Sequence, residues 1–230
     1  MLLKVCGLVT DHELRRLSKF PVEQVGLWHG VPGGRSELPL ERLVPLAARA
    51  VQLHLDPVLV TLEEDPEALR AAVAASGVRR VQLHGYPMPG TVRRIRAALP
   101  GVHLVKVLHA RDGKVLEEPL IGAYEQAGAD SFLFDSVGPD GRIGSTGRPL
   151  DPAALTGALE RVGRPFLLAG GLSEEGVERY DRVLRHPGML GIDLDSALRG
   201  PGGSLTLRRV DAIRTAWWQR LGRVRDEVTA

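Results

Sequence analysis

A thiol and a carboxyl group stand at the ends of two short apolar runs of the sequence. Cys6 closes the run Leu2–Cys6, and Asp135 closes the run Ser131–Asp135. A cysteine with thiolate character can act as a base or nucleophile, and a carboxyl group with a raised pKa can donate a proton near neutrality. Each residue also has a structural explanation, because a single cysteine often packs as a small apolar side chain and an aspartate can cap a loop.

Further polar and glycine residues fall at corresponding points, at or after the other apolar runs. Arg35 lies after the second run, His84 ends the fourth run and His109 follows the fifth. The candidates at the last two runs are Gly170, Gly171, Asp193, Asp195 and Ser196. The paired glycines precede a predicted helix start at residues 172–175, where free backbone N–H groups can bind phosphate, although they can also form only a tight turn. His84 can likewise serve only to cap the rim by hydrogen bonding.

Short apolar runs alternate with amphipathic segments through the whole chain. The predicted strands are Leu2–Cys6, Gln24–Trp28, Val58–Leu62, Arg80–His84, Leu104–Leu108, Ser131–Asp135, Pro165–Ala169 and Leu190–Leu194. The clearest predicted helices are Pro66–Ser76, Thr91–Leu99, Pro152–Val162 and Glu174–Leu184, with a closing helix whose apolar face is Val210, Ile213, Trp217 and Leu221. This alternation predicts an α/β fold with a parallel sheet, and eight units in 230 residues favour a single closed (β/α)8 TIM barrel.

An open doubly wound sheet is the main alternative fold. A nucleotide-binding sheet of that kind carries a G-x-G-x-x-G fingerprint after its first strand. Here the first run is followed by Gly7-Leu8-Val9-Thr10, which lacks that spacing. In a barrel, active sites lie at the carboxyl ends of the strands, so the polar candidates are expected to gather at one face.

Composition limits the class of protein. With 43% hydrophobic and 25% charged residues, the chain is predicted to form one barrel domain over residues 1–230. A formal net charge of +2, spread along the chain, argues against nucleic acid as a partner, and no apolar stretch approaches the ~20 residues of a membrane span. One cysteine and no signal-peptide pattern favour a cytoplasmic protein.

Trp218 fits packing within the subunit better than a dimer contact, and both a monomer and a homodimer stay open.

The sequence resembles the phosphoribosylanthranilate isomerase family in several motifs. They are Lys4-Val5-Cys6-Gly7-Leu8, Val81-Gln82-Leu83-His84-Gly85, Leu133-Phe134-Asp135-Ser136, Gly144-Ser145-Thr146-Gly147-Arg148 and Leu168-Ala169-Gly170-Gly171-Leu172. The resemblance covers nearly the whole chain. It implies a β/α barrel, an Amadori rearrangement in tryptophan biosynthesis, a phosphorylated sugar amine as substrate, and neither a metal nor an organic cofactor.

The resemblance also implies roles for individual residues. Asp135 would donate a proton to the furanose oxygen as the ring opens, and Arg35 would hold the anthranilate carboxylate. Cys6, which needs appreciable thiolate character for this role, would remove the C2 proton from the resulting Schiff base. The other substrate-binding candidates are His84, Gly144, Gly147, Gly170, Gly171, Asp193, Asp195 and Ser196, of which those at the last two strands would bind phosphate.

The predicted phosphate-binding segment departs from the family pattern. Asp195 stands where the family has a serine, and Ala197 stands where it has a glycine. A carboxylate there can repel phosphate, which would indicate a paralogue in secondary metabolism that uses the same acid and base on a different, non-phosphorylated substrate. Alternatively, Asp195 caps the following short helix, or Arg199 neutralises it.

The second predicted strand and its loop, residues 27–34, also differ from the family, so the pocket for the aromatic part of the substrate is expected to be remodelled. A third hypothesis is a barrel that has lost catalysis and serves as a binding or assembly protein. It predicts that replacing Cys6 or Asp135 changes no phenotype.

Overall fold

The computed structural model describes residues 1–138 and 149–229, which form a closed barrel of parallel strands ringed by helices. The strands are β1 (Leu2–Val5), β2 (Gln24–Trp28), β3 (Asp56–Thr61), β4 (Arg80–Leu83), β5 (His103–Arg111), β6 (Lys114–Val115), β7 (Ser131–Ser136), β8 (Phe166–Leu168) and β9 (Met189–Leu194). All except β6 pair in parallel in chain order, and β9 pairs with β1 to close the ring. The predicted (β/α)8 barrel is therefore confirmed. The short β6 forms an antiparallel hairpin with the end of β5.

Eight α-helices surround the barrel in the part of the chain that the structure describes. They are α1 (Asp11–Leu17), α2 (Leu40–Gln52), α3 (Pro66–Ser76), α4 (Pro89–Ala98), α5 (Ile121–Gln126), α6 (Thr156–Arg161), α7 (Asp181–Leu184) and α8 (Leu207–Thr229). Local sequence sets their ends, as α3 illustrates. The Asp65 side chain accepts hydrogen bonds from the first backbone N–H groups of α3, and Pro66 occupies its first turn. Gly77 ends the helix with a left-handed φ of 68°.

Alternation along the strands divides the side chains between an outer and an inner core. Leu3 and Val5 of β1 join the large apolar cluster beneath the helices. Lys4 and the adjoining Cys6 lie on the opposite face and point into the barrel, because successive strand side chains alternate. The barrel interior places the buried polar residues Lys4, Gln82, Lys106, Asp135 and Asp193 beside Val58, Val60, Val105 and Leu133.

Every predicted apolar run overlaps an observed barrel strand, but two predicted helices are interrupted. The continuous helix predicted over Glu174–Leu184, with its start at residues 172–175, is wrong. Gly176 has a φ of 70°, which breaks a right-handed helix, so the chain forms a 3-10 turn at Val177–Tyr180 before α7. The predicted helix Pro152–Val162 likewise divides into a 3-10 turn and α6.

The closing helix α8 packs as its pattern predicts. The side chains of Val210, Ile213, Trp217 and Leu221 are all buried against the outer core. Trp218 is partly buried against the same core, and the Arg214 guanidinium lies 5.0 Å from the centre of its ring. Trp218 is thus accounted for by packing within the subunit. Across the described residues, the helices include none with the length and apolar character of a membrane span.

Candidate active site

A cavity opens to solvent at the carboxyl ends of the barrel strands. The sequence-predicted residues that line it are Cys6, His84, Asp135, Gly170, Gly171, Asp193, Asp195 and Ser196. These residues lie together because the strands of a closed barrel are parallel, so that the carboxyl ends of β1, β4, β7 and β9 meet at one rim. The predicted candidates Gly144 and Gly147 lie outside the described residues.

The sulfur of Cys6 lies between a hydrogen-bond donor and a cation. The indole Nε1 of Trp28 donates to Sγ at 3.2 Å, and Nζ of Lys4 lies 3.7 Å from Sγ. Burial nevertheless raises the pKa of the Cys6 thiol to about 12, with Lys4 opposing the shift and Asp193 adding to it. Burial therefore favours the thiol form of Cys6, which differs from the thiolate character expected of a base.

A buried polar network lies beneath the sulfur. Nζ of Lys4 donates to Oδ2 of Asp193 at 2.5 Å and to Oε1 of Gln82 at 2.8 Å. Burial lowers the pKa of Lys4, but Asp193 and Cys6 raise it by more, so the ammonium form is kept. The opposite end of the Gln82 amide, Nε2, contacts Nδ1 of His84 at 3.0 Å, which assigns the hydrogen of this ring to Nε2.

Two side-chain atoms at the floor of the cavity have no hydrogen-bond partner. They are Nε2 of His84 and Oδ1 of Asp193, both buried. Burial, together with the charges of His109 and Lys4, lowers the pKa of His84 to about 3, so its ring is neutral. Buried polar atoms are rarely left without partners, so these two atoms mark positions where a bound molecule can hydrogen-bond.

Asp135 stands at the end of β7 and lines the same cavity as Cys6. Its Oδ2 lies 3.6 Å from Nε2 of His84, and its Oδ1 accepts a hydrogen bond from the Ser136 backbone N–H at 2.8 Å. Burial and the carboxylate of Asp193 raise the pKa of Asp135 to about 7, against the effect of the Ser136 N–H. A carboxyl group in this state is partly protonated near neutral pH and can act as a general acid.

Arg35 and Asp195 form an ion pair at the rim. Nη2 of Arg35 donates to Oδ1 of Asp195, and the Arg35 guanidinium lies 5.3 Å from the centre of the Trp28 ring. Nε of Arg199 lies 3.8 Å from the same Oδ1. The Asp195 side chain makes no helix-capping hydrogen bond, so the capping alternative is wrong, while the predicted proximity of Arg199 to Asp195 is confirmed.

Gly170 and Gly171 form a left-handed turn after β8. Their φ values are 82° and 57°, which favour glycine. A Cβ on Gly170 would lie 2.6 Å from Oγ of Ser136, so the close approach of the two strands also requires glycine. No helix starts directly after this turn, since the next helical residues in the described chain begin at Val177. The pair and Ser196 line the same cavity.

Sequence reasoning missed Lys4, Gln82 and Trp28 as parts of the site. Lys4 and Gln82 each precede a predicted site residue by two positions, so strand alternation was a usable signal for both. Trp28 ends the second strand, but nothing in the sequence indicates that its indole contacts the sulfur. His109, by contrast, does not line the cavity, because Nδ1 contacts Oε1 of Glu117 at 2.6 Å.

The described residues, 1–138 and 149–229, contain no candidate metal centre. No group of three or more His, Cys, Asp or Glu side chains in this part of the chain is arranged to hold a metal ion.

Comparison with known proteins identifies the family. A profile of N-(5'phosphoribosyl)anthranilate (PRA) isomerase matches residues 3–206. The N-(5'-phosphoribosyl)anthranilate isomerase of Synechococcus sp. (strain JA-3-3Ab) is 31% identical over 224 residues, covering 95% of this chain and 93% of that protein. The isomerase of Azorhizobium caulinodans (strain ATCC 43989) is 34% identical over 220 residues, covering 93% of each chain.

Solved structures agree with the barrel. Phosphoribosyl anthranilate isomerase in complex with reduced 1-(O-carboxyphenylamino)-1-deoxyribulose 5-phosphate superimposes with a TM-score of 0.72 at 18% identity, covering 95% of this chain and 100% of that chain. At that identity the likeness shows the fold alone. The profile match and the two relatives above 30% identity show that the sequence is also similar to this family along most of the chain. The chain therefore belongs to the N-(5'-phosphoribosyl)anthranilate isomerase family.

Proposed function

We propose that this chain, as one domain over residues 1–230, catalyses the Amadori rearrangement of N-(5'-phosphoribosyl)anthranilate, with Asp135 as general acid and Cys6 as base. The observation that carries the proposal is that a carboxyl group with a raised pKa and a thiol line the same cavity. Family membership supports the reaction, which converts an aldose amine into a ketose amine without a change in overall oxidation state.

Ring opening is the step assigned to Asp135. Its carboxyl group gives a proton to the furanose oxygen while the bond from that oxygen to C1 breaks. The lone pair of the anthranilate nitrogen forms the C1=N bond, so the substrate becomes a protonated Schiff base. The pKa of about 7 supports this role, because a useful fraction of Asp135 carries a proton near neutrality.

Proton removal from C2 is the step assigned to Cys6. Cys6 first loses its thiol proton to solvent, and the thiolate takes the C2 proton while the electrons of the C2–H bond form a C1=C2 bond and the C=N electrons return to nitrogen. The resulting enolamine then gains a proton at C1 and loses the proton of its C2 hydroxyl group, which gives the ketone at C2. The cationic Schiff base adds its positive charge to that of Lys4, and both charges favour the thiolate, against the effect of burial.

Substrate binding is assigned to the remaining polar groups of the cavity. Arg35, which lies at the rim over the Trp28 ring, binds the anthranilate carboxylate through its planar fork. Gly170, Gly171 and Ser196, which line the cavity, provide donors for the phosphate. The unpartnered His84 Nε2 and Asp193 Oδ1, both at the floor, bind sugar hydroxyl groups. Asp195 lies beside both Arg35 and Arg199, which reduce its repulsion of the phosphate without removing it.

The setting proposed for the enzyme is the cytoplasm, in tryptophan biosynthesis, as a monomer or a homodimer. A reducing compartment suits a chain with a single cysteine whose thiol is needed for catalysis.

Turnover of phosphoribosylanthranilate, followed by anthranilate fluorescence, tests the proposal. We expect the purified protein to convert the substrate, and Cys6→Ala and Asp135→Asn each to lower kcat by about 10²- to 10⁴-fold. Asp112→Asn is the matched control, because Asp112 lies in the β5–β6 hairpin with 86% of its side chain exposed. Activity of the parent that does not exceed that of Cys6→Ala would remove the proposed function.

A further inference from the structure

The β2 strand is shaped around the sulfur of Cys6. Gly26 and Trp28 are two residues apart and therefore face the same side of the strand, toward the barrel interior. A Cβ at Gly26 would collide with Sγ of Cys6, so this glycine leaves the volume that the sulfur occupies. The next inward residue, Trp28, provides the hydrogen bond to Sγ at 3.2 Å.

The Trp28 hydrogen bond favours the charged form of the sulfur. An indole Nε1 carries one N–H and can only donate. A thiol is a weak acceptor, whereas a thiolate is a charged acceptor, and hydrogen bonds to charged groups are the stronger class. The bond therefore strengthens when Cys6 loses its proton. The charged side chains that also act on Cys6 are Lys4, Asp193 and Asp195.

A second contact joins Trp28 to the arginine at the rim. The Arg35 guanidinium lies over the Trp28 ring at 5.3 Å, within the range of a cation–π interaction. One buried side chain thus contacts the proposed base through its N–H and supports the proposed carboxylate-binding arginine through its ring face. Trp28 lines the cavity between these two groups.

We propose that Trp28 is a positioning residue for proton abstraction, whose indole N–H holds the sulfur of Cys6 and stabilises the thiolate formed during the reaction. This inference rests on the proposed function for its catalytic consequence. The hydrogen bond to the thiolate has a separate consequence, because it alters the reactivity of the thiol whether or not the protein turns over the proposed substrate.

Alkylation of Cys6 in Trp28→Phe tests the hydrogen bond. The substitution removes the N–H and keeps an aromatic ring beneath Arg35, and the single cysteine makes the reaction with iodoacetamide unambiguous. Between about pH 7 and 9 the rate follows the thiolate fraction, so we expect Trp28→Phe to react about tenfold more slowly than the parent. Phe is smaller than Trp, so easier access would only speed the reaction. An equal or faster rate overturns the proposal.

Trp218→Phe on α8 is the matched control, and its alkylation rate is expected to equal that of the parent. Kinetics with phosphoribosylanthranilate then separate the possible roles. We expect kcat of Trp28→Phe to fall about tenfold while KM stays within about twofold. A raised KM with an unchanged kcat and an unchanged alkylation rate would show that Trp28 contributes only to substrate binding, and would overturn the inference. If the parent shows no turnover but alkylation still slows, the proposed function fails and the thiolate-stabilising bond stands.

Discussion

At the residue scale, burial controls the ionisation of the site more than any single neighbour does. Burial is the largest influence on the pKa values of Cys6, His84 and Asp135, and it moves each toward the neutral form. The cavity is therefore lined by a thiol, a neutral imidazole and a partly protonated carboxyl group. A charged substrate enters a site whose own groups carry little charge, apart from the ion pairs of Lys4 and Arg35.

The raised pKa of Asp135 predicts a pH-dependent loss of stability. Because the folded pKa is about 7 and the ordinary value is 3.8, the unfolded chain ionises first as the pH rises. With respect to this carboxyl group, the folded protein is most stable below about pH 4. Its free energy of unfolding falls by at most about 4 kcal/mol as the pH rises toward 7. Asp135→Asn cannot ionise, so we expect its free energy of unfolding to exceed that of the parent by roughly 2–4 kcal/mol at pH 8.

Urea unfolding at pH 4, 6 and 8 measures this difference. The gap between Asp135→Asn and the parent should close toward pH 4, and Asp112→Asn should show no such trend because Asp112 is exposed. A gap that is constant with pH would show that Asp135 has an ordinary pKa in the folded protein.

Asp195 predicts a change in substrate affinity. Its carboxylate is bound by Arg35 and adds negative charge to the predicted phosphate site, so it competes with the substrate for Arg35 and opposes the phosphate. We expect Asp195→Ser to lower KM for phosphoribosylanthranilate about 5- to 10-fold with kcat within about threefold, as a Coulomb energy of ~1 kcal/mol implies. Steady-state kinetics in low and high salt check this. A higher KM would mean that Asp195 holds Arg35 in the binding position.

At the element scale, strand β2 determines whether the sulfur has room. We expect Gly26→Ala to displace the Cys6 side chain, to lower kcat by at least about tenfold, and to lower the free energy of unfolding by about 1–3 kcal/mol, as overpacking does. Gly90→Ala in α4 is the control, since a Cβ there meets no atom within 4 Å. Urea unfolding and turnover measure both effects, and a fully active Gly26→Ala protein would contradict the tight packing of β2 around Cys6.

The elements themselves were predictable where one local signal dominates. The apolar runs identified the barrel strands because parallel strands buried on both faces are rich in apolar residues. The helices over residues 152–162 and 174–184 were overestimated, because the apolar spacing continues through 3-10 turns and through the left-handed Gly176. The β5–β6 hairpin was missed, since it extends beyond the apolar run and turns at Asp112 and Gly113, both with positive φ.

At the scale of the whole molecule, barrel closure brings together residues that are far apart in the chain. Lys4 and Asp193 are paired across the seam between β1 and β9, and both are almost fully buried. Sequence position at strand ends predicted that Cys6 and Asp135 would meet at one rim. Contacts that depend on side-chain direction across the cavity, such as those of Trp28 with Cys6 and of Arg35 with Asp195, have no periodic signal in the sequence.

Removing the cation from the buried Lys4–Asp193 pair is expected to lower the stability of the protein strongly. Lys4→Met leaves the Asp193 carboxylate buried without its cation, so we expect the free energy of unfolding to fall by about 3–5 kcal/mol at pH 8. The double variant Lys4→Met with Asp193→Asn should recover a good part of this loss, because the uncompensated charge is gone. Urea unfolding of the parent, Lys4→Met, Asp193→Asn and the double variant completes the cycle. Equal losses in the single and double variants would contradict a stabilising ion pair.

One small molecule is expected to lie between the thiol of Cys6 and the carboxyl group of Asp135. A crystal structure with reduced 1-(O-carboxyphenylamino)-1-deoxyribulose 5-phosphate tests it most directly. We predict the phosphate at Gly170, Gly171 and Ser196, the carboxyphenyl group toward Arg35, and the ribulose chain between the sulfur and the carboxyl group, with C2 within ~4 Å of Sγ. A ligand bound elsewhere, or one whose C2 is remote from the sulfur, would contradict the account.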